Sequence, residues 1–177
     1  MSEDIKKIRQ KIDSLDDEIL HLLNQRALQA VIIAKEKQKS KESDNFYNPE
    51  REAQVIRRIK ELNKGPLSNN SVLKLYREIM SACLSLEAPL KVSYLGPEGT
   101  YTQLATQNHF GSSILSIPYT SVEEVFVSVE KRDSHYGVVP VENSTQGIVS
   151  STLDMFMKSS LKISGEIEIL INHNILS

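Results

Sequence analysis

The sequence predicts a two-part chain, an all-helical unit over residues 1–90 followed by an α/β unit over residues 91–177. Three observations predict it. The first 48 residues contain neither glycine nor proline, apolar residues recur there at helical spacing, and after Pro89 the pattern changes to short apolar runs punctuated by glycine and hydroxyl residues. At 177 residues the chain also exceeds the roughly 100 to 150 typical of one domain, which suits two units.

In the first unit Ile5, Ile8, Ile12, Leu15, Ile19 and Leu22 follow one another at steps of three and four, which gathers them into one apolar stripe on a helix. A helix over residues 4–41 is about 57 Å long, whereas a compact unit of this size has a radius of gyration of about 12 Å. The stripe overhangs its own unit, and a second copy of the chain is the simplest cover. The expected assembly is an intertwined homodimer through helix 1. A polar break at residues 40–45 precedes Phe46-Tyr47-Asn48-Pro49-Glu50, where Asn48 suits an N-cap and Pro49 the first helical position. The second helix carries Val55, Ile56, Ile59 and Leu62 and is stopped by Asn63-Lys64-Gly65-Pro66. A third, over residues 70–86, carries Val72, Leu73, Leu75, Tyr76, Ile79, Met80 and Leu84, and Pro89 closes the unit.

In the second unit, residues 91–95 read as a strand closed by Gly96-Pro97-Glu98-Gly99. A helix is expected near residues 102–108, a strand near 114–117, and a helix opened by the capping box that runs from Ser121 to Glu124. A buried strand at residues 137–140, a helix around 148–157 and strands within 161–176 follow. This alternation predicts a largely parallel sheet. The sequence ends in a strand-like run, so the second unit is expected to be incomplete.

The 21 basic and 23 acidic residues leave a net charge of −2, too little for a global field that would hold a nucleic acid or an anionic membrane. Any anion must be bound locally. No run of eighteen apolar residues occurs, and the N-terminus opens an amphipathic pattern rather than a secretion signal. The single cysteine, Cys83, has no partner within the chain and no metal-ligand spacing around it. The expectation is a cytoplasmic protein without metal or cofactor, and without nucleic-acid or membrane partners. His109, His135 and His173 are expected at the surface or in loops.

Charges interrupt the apolar faces. Steps of seven from Ile5, Ile12 and Ile19 reach Arg26 and then Ile33, and Lys37 lies one turn further on. Arg26 and Lys37, eleven residues or almost three whole turns apart, project from one side. In helix two Glu52 stands on the inner face ahead of Val55, Ile56 and Ile59, with Arg51 beside it. In helix three Tyr76, Met80, Cys83 and Glu87 share a face. An unpaired charge inside a bundle is costly, so these groups either neutralise one another, reach out to water, or form an anion pocket in which arginine forks hold carboxylates. Periodicity leaves these alternatives open.

The segments Ile8-Arg9-Gln10-Lys11-Ile12-Asp13-Ser14-Leu15-Asp16, Leu22-Leu23-Asn24-Gln25-Arg26, Ala34-Lys35-Glu36-Lys37 and Pro49-Glu50-Arg51-Glu52 together resemble the all-helical chorismate mutase family. The resemblance implies rearrangement of chorismate to prephenate, a pericyclic reaction that needs no nucleophile, metal or cofactor. It implies that Arg26 and Arg9 bind the two substrate carboxylates, Arg9 coming from the other copy. Lys37 donates to the breaking ether oxygen, Glu52 accepts the substrate hydroxyl, and Arg51 orients substrate or supports the pocket. Where many relatives carry glutamine, the match falls on Glu87, which can donate only when protonated, so activity is expected to fade as Glu87 ionises. Cys83 stands where some relatives use serine, as a weak donor or as core. Asn48 replaces an aspartate of some members, as a substrate contact or as an N-cap.

The blocks Val92-Ser93-Tyr94-Leu95-Gly96-Pro97-Glu98-Gly99-Thr100-Tyr101-Thr102 and Gly137-Val138-Val139-Pro140-Val141-Glu142-Asn143-Ser144-Thr145-Gln146-Gly147 resemble the prephenate dehydratase family. This implies part of a periplasmic-binding-protein-like α/β fold, with Glu142 and Asn143 facing a cleft between two lobes and a place in phenylalanine synthesis. The family's second lobe, with its Thr-Arg-Phe signature, and its phenylalanine-binding regulatory domain have no counterpart here, so dehydration is not expected. The competing account is a non-catalytic dimerisation and ligand-binding module. A pure dimer seam would favour apolar residues where Arg26, Lys37 and Glu52 stand.

Overall fold

A computed structural model describes residues 3–39, 47–144 and 147–171. Helix α1, Glu3–Lys39, is one unbroken helix, with Glu3 and Asp4 in its first turn and Lys37 and Lys39 in its last, as the helix dipole favours. Helix α2, Pro49–Leu62, begins where the sequence places it: the Arg51 backbone N–H donates to Asn48 Oδ1 at 2.9 Å, and Pro49 fills the first helical position. Helix α3, Asn69–Ser85, is capped by Ser68. Both α1 and α2 pack on α3, which is therefore the middle of the helical unit. Ile5, Ile8, Ile12, Leu15, Ile19 and Leu22 remain 44% to 57% exposed, so nothing among the described residues covers the stripe.

The second unit runs β1 (Lys91–Leu95), α4 (Tyr101–Phe110), β2 (Leu115–Tyr119), α5 (Val122–Glu130), β3 (Tyr136–Val138), the hairpin strands β4 (Glu142–Asn143) and β5 (Gly147–Ile148), then α6 (Ser150–Lys158). The main sheet has the order β2-β1-β3 and both pairings are parallel, with Val92 opposite Ser116 on one side and Tyr136 on the other. Central β1 has α4 and α5 packed against it, which is why Val92, Ser93 and Tyr94 are all fully buried. Helix α5 opens with the expected capping box between Ser121 and Glu124.

Two strand expectations need correction. The buried strand foreseen at residues 137–140 is instead half-buried and ends at Val138. It is an edge strand, and Pro140, which has no N–H to extend a ladder, gives its carbonyl to the Thr152 hydroxyl at 2.7 Å. The strands expected within residues 161–176 do not form over 161–171, because that segment pairs with neither open edge of the sheet, and a strand exists only against a neighbour. Residues 172–177, including His173, lie outside the described residues, as do the polar break at 40–45 and Phe46.

Helices α3 and α4 pack together and join the units. Glu78 accepts the Ser112 backbone N–H and hydroxyl, the Ser113 N–H donates to Ser81 Oγ at 3.2 Å, and Arg77 Nη1 donates to the Asn108 carbonyl at 3.4 Å. Beneath them Tyr47, Leu90, Val92 and Phe110 form a buried cluster, flanked by Leu84, Ile114, Tyr136 and Val138. Gly111 permits this approach: its φ is +80°, and a Cβ there would stand 2.4 Å from Ser81 Cβ. The seam also corrects the expectation for His109, which is not a surface group but half-buried, edge-on to Phe110 at 4.7 Å. His135 fits its expectation as a loop residue, its Nδ1 accepting the Lys91 N–H at 3.0 Å.

Candidate active site

Helix α1 presents three of the expected cations, Arg9 exposed, Arg26 and Lys37 half-buried. Arg9 and Arg26 are about 26 Å apart along the axis of one unbroken helix, so a single chain cannot bring both to one small substrate. Arg26 lines an open concavity with Leu22, Gln25, Leu28 and Gln29.

At the far end of α1, Lys37 lies close enough to Glu87 for their charges to interact. Glu87 is not on α3, which stops at Ser85; a tight turn holds it, its N–H donating to the Leu84 carbonyl at 2.9 Å. Glu87 Oε2 is buried without a hydrogen-bond partner. Burial pushes the carboxyl above the usual carboxylate range and Lys37 pulls it partly back. A carboxyl whose pKa is raised beside a cation is able, in its protonated form, to donate a hydrogen bond. Cys83, one turn earlier, is 7% exposed and packs as core.

A second cluster gathers around Glu52. The carboxyl is half-buried in the first turn of α2, and burial raises it while the nearby Tyr47 hydroxyl and the Arg77 guanidinium from α3 draw it down. Burial and the neighbouring Glu52 carboxylate likewise push the Tyr47 hydroxyl above its ordinary range. Sequence reasoning singled out neither Tyr47 nor Arg77. The missed signal was positional: Tyr47 precedes the N-cap and Glu52 is the fourth helical residue, the two positions that pack together in a hydrophobic staple. Arg51 is exposed and turns along its own helix, Nη1 donating to Gln54 Oε1 at 3.3 Å. Asn48 spends its side-chain oxygen on the cap.

In the α/β unit, the Gly96-to-Thr100 turn leads from β1 into α4, where Thr100 caps the helix and the Gly99 N–H donates to Gln103 Oε1 at 2.6 Å. The second block is more elaborate than a strand-to-helix turn: Glu142 and Asn143 are exposed on β4, opposite Ile148 and Gly147 of β5, before α6 begins. Among the described residues no three His, Cys, Asp or Glu side chains gather as a metal site.

Comparison with known proteins gives two family matches lying end to end. Residues 8–88 match chorismate mutase type II, and residues 92–177 match prephenate dehydratase. The chain is similar to the bifunctional chorismate mutase/prephenate dehydratase of Pseudomonas aeruginosa, 49% identical over 177 residues that make up 98% of this chain and 48% of the relative. Proteins of the same name from Neisseria gonorrhoeae and Aquifex aeolicus are each 46% identical, over 95% and 99% of this chain and 45% and 49% of their own lengths. The chain spans about half the length of the curated relatives it matches. It belongs to the chorismate mutase type II family in residues 8–88 and to the prephenate dehydratase family in residues 92–177, the pairing that names its bifunctional relatives.

Proposed function

We propose that the chain rearranges chorismate to prephenate within residues 1–90, as an intertwined homodimer through α1 in the cytoplasm. The observation that carries this is the Lys37–Glu87 pair, a cation within reach of a half-buried carboxyl whose Oε2 is buried without a hydrogen-bond partner and whose pKa is raised. The rearrangement is helped by holding the folded diaxial conformer and by placing donors where the ether oxygen gains charge. Arg26 holds one carboxylate and Arg9 of the second copy the other, as the spacing of the two along α1 requires. Lys37 and protonated Glu87 meet the ether oxygen, and Glu52 accepts the hydroxyl. Arg51 borders this site, Asn48 serves it by setting the start of α2, and Cys83 is buried one turn before Glu87.

Residues 91–177 are proposed as one lobe of a periplasmic-binding-protein-like fold in which Glu142 and Asn143 face prephenate. The uncovered apolar stripe also suits a non-catalytic dimerisation and ligand-binding module. Chorismate absorbance, followed with purified protein and its Arg26→Ala variant, separates the two. Two charge-assisted hydrogen bonds worth about 1.5 kcal/mol each amount to about a hundredfold in kcat/KM, so Arg26→Ala is expected to lose that much with the dimer intact. A folded dimer without turnover would favour the module instead.

A further inference from the structure

We propose that Tyr47 is a positioning residue of the mutase site, its hydroxyl holding the Glu52 carboxylate while Phe110 and Tyr136 of the α/β unit clamp its ring. The inference rests on Glu52 as the acceptor of the substrate hydroxyl and adds what places it. Local geometry supplies the first half. Asn48 is the N-cap of α2 and Pro49 its first residue, so Tyr47 and Glu52 occupy the two positions that a staple brings into contact. In this chain the two staple positions carry polar groups, a phenol and a carboxyl that influence one another.

The second half is tertiary. A tyrosine just outside a helix would ordinarily sample several rotamers, but Tyr47 is only 8% exposed. Its ring meets Phe110 of α4 at 5.6 Å and stands edge-on to Tyr136 of β3 at 5.2 Å. Both contacts come from the α/β unit. The groups facing Glu52 are therefore Tyr47 from the approach to α2, Arg77 from α3 and Tyr136 from β3, and the charge of Arg77 also reaches His109 of α4. Burial raises the Glu52 carboxyl, and the Tyr47 hydroxyl is the strongest influence returning it toward the ionised acceptor. The second unit, by seating Tyr47, becomes part of the first unit's site.

The test is the pH profile of chorismate turnover by the whole chain, with helical circular dichroism as the check on folding. Tyr47→Phe keeps the ring in its clamp and removes only the hydroxyl. It is expected to lower kcat by about threefold to tenfold and to move the acid limb to higher pH, because Glu52 loses the donor that favours its charge. Phe110→Leu, remote from substrate, is expected to move the same limb in the same direction by less. If Tyr47→Phe superimposes on the unaltered chain while Glu52→Gln loses turnover, the proposal falls and the role of Glu52 stands. A shift in Tyr47→Phe with none in Phe110→Leu overturns the clamp. Full turnover in Glu52→Gln overturns the role of Glu52 and this proposal with it, and no turnover in the unaltered chain overturns the mutase assignment as well.

Discussion

At the scale of the residue, Glu87 shows how position and chemistry come from different sources. Spacing alone would put it on a helical face with Tyr76, Met80 and Cys83, but α3 stops at Ser85 and the turn that follows sets it near Lys37. The folded-state carboxyl lies above its ordinary value of 4.5, so the proton is held more tightly in the folded chain than in the unfolded one. The stability Glu87 contributes is thus fully present below that ordinary value and is lost as pH rises through the folded one. Turnover should decline over the same interval as the donor disappears. Glu87→Gln donates at every pH and is expected to give a profile flat on the alkaline side, with a melting temperature that gains on the unaltered chain as pH rises. Parallel alkaline declines in the two proteins would remove Glu87 from the ether oxygen.

At the scale of the element, the proposed assembly rests on α1. Its stripe was legible because no glycine, proline or cap interrupts a period of three and four. What covers the stripe is not written in that period. Ile12, 51% exposed, is a fair probe. In an isolated chain Ile12→Glu is a surface change worth about 0.5 kcal/mol or less, whereas in a dimer seam it buries an unpaired charge. Sedimentation should therefore find the variant monomeric and unable to turn over chorismate, since Arg9 can no longer reach a second copy's Arg26. A variant that stays dimeric would place the dimer contact elsewhere.

At the scale of the whole molecule, the seam between α3 and α4 is the least predictable feature and the one on which the Tyr47 contact depends. Gly111 sits at its tightest point, and Gly111→Ala combines a left-handed backbone with an overlap against Ser81. The two costs together come to about 2–4 kcal/mol, which denaturant unfolding would register as a lower midpoint. An unchanged midpoint would mean that the units tolerate separation. His109 teaches the same lesson: a lone histidine on a weakly amphipathic helix reads as a surface group, and only the docking of α4 on α3 buries it.

The sequence by itself determined the helices, the caps of α2 and α5, the parallel β/α alternation and the faces on which Arg26, Lys37, Glu52 and Cys83 lie, because periodicity, capping chemistry and breakers act within a few residues of one another. Only the tertiary structure decided that residues 161–171 form no strand, that β3 stops at Val138, and that Tyr47, Arg77 and Tyr136 surround Glu52. Each of these depends on a neighbour distant in sequence: an edge strand either finds a partner or ends, and a carboxyl takes its charge from whatever is packed against it.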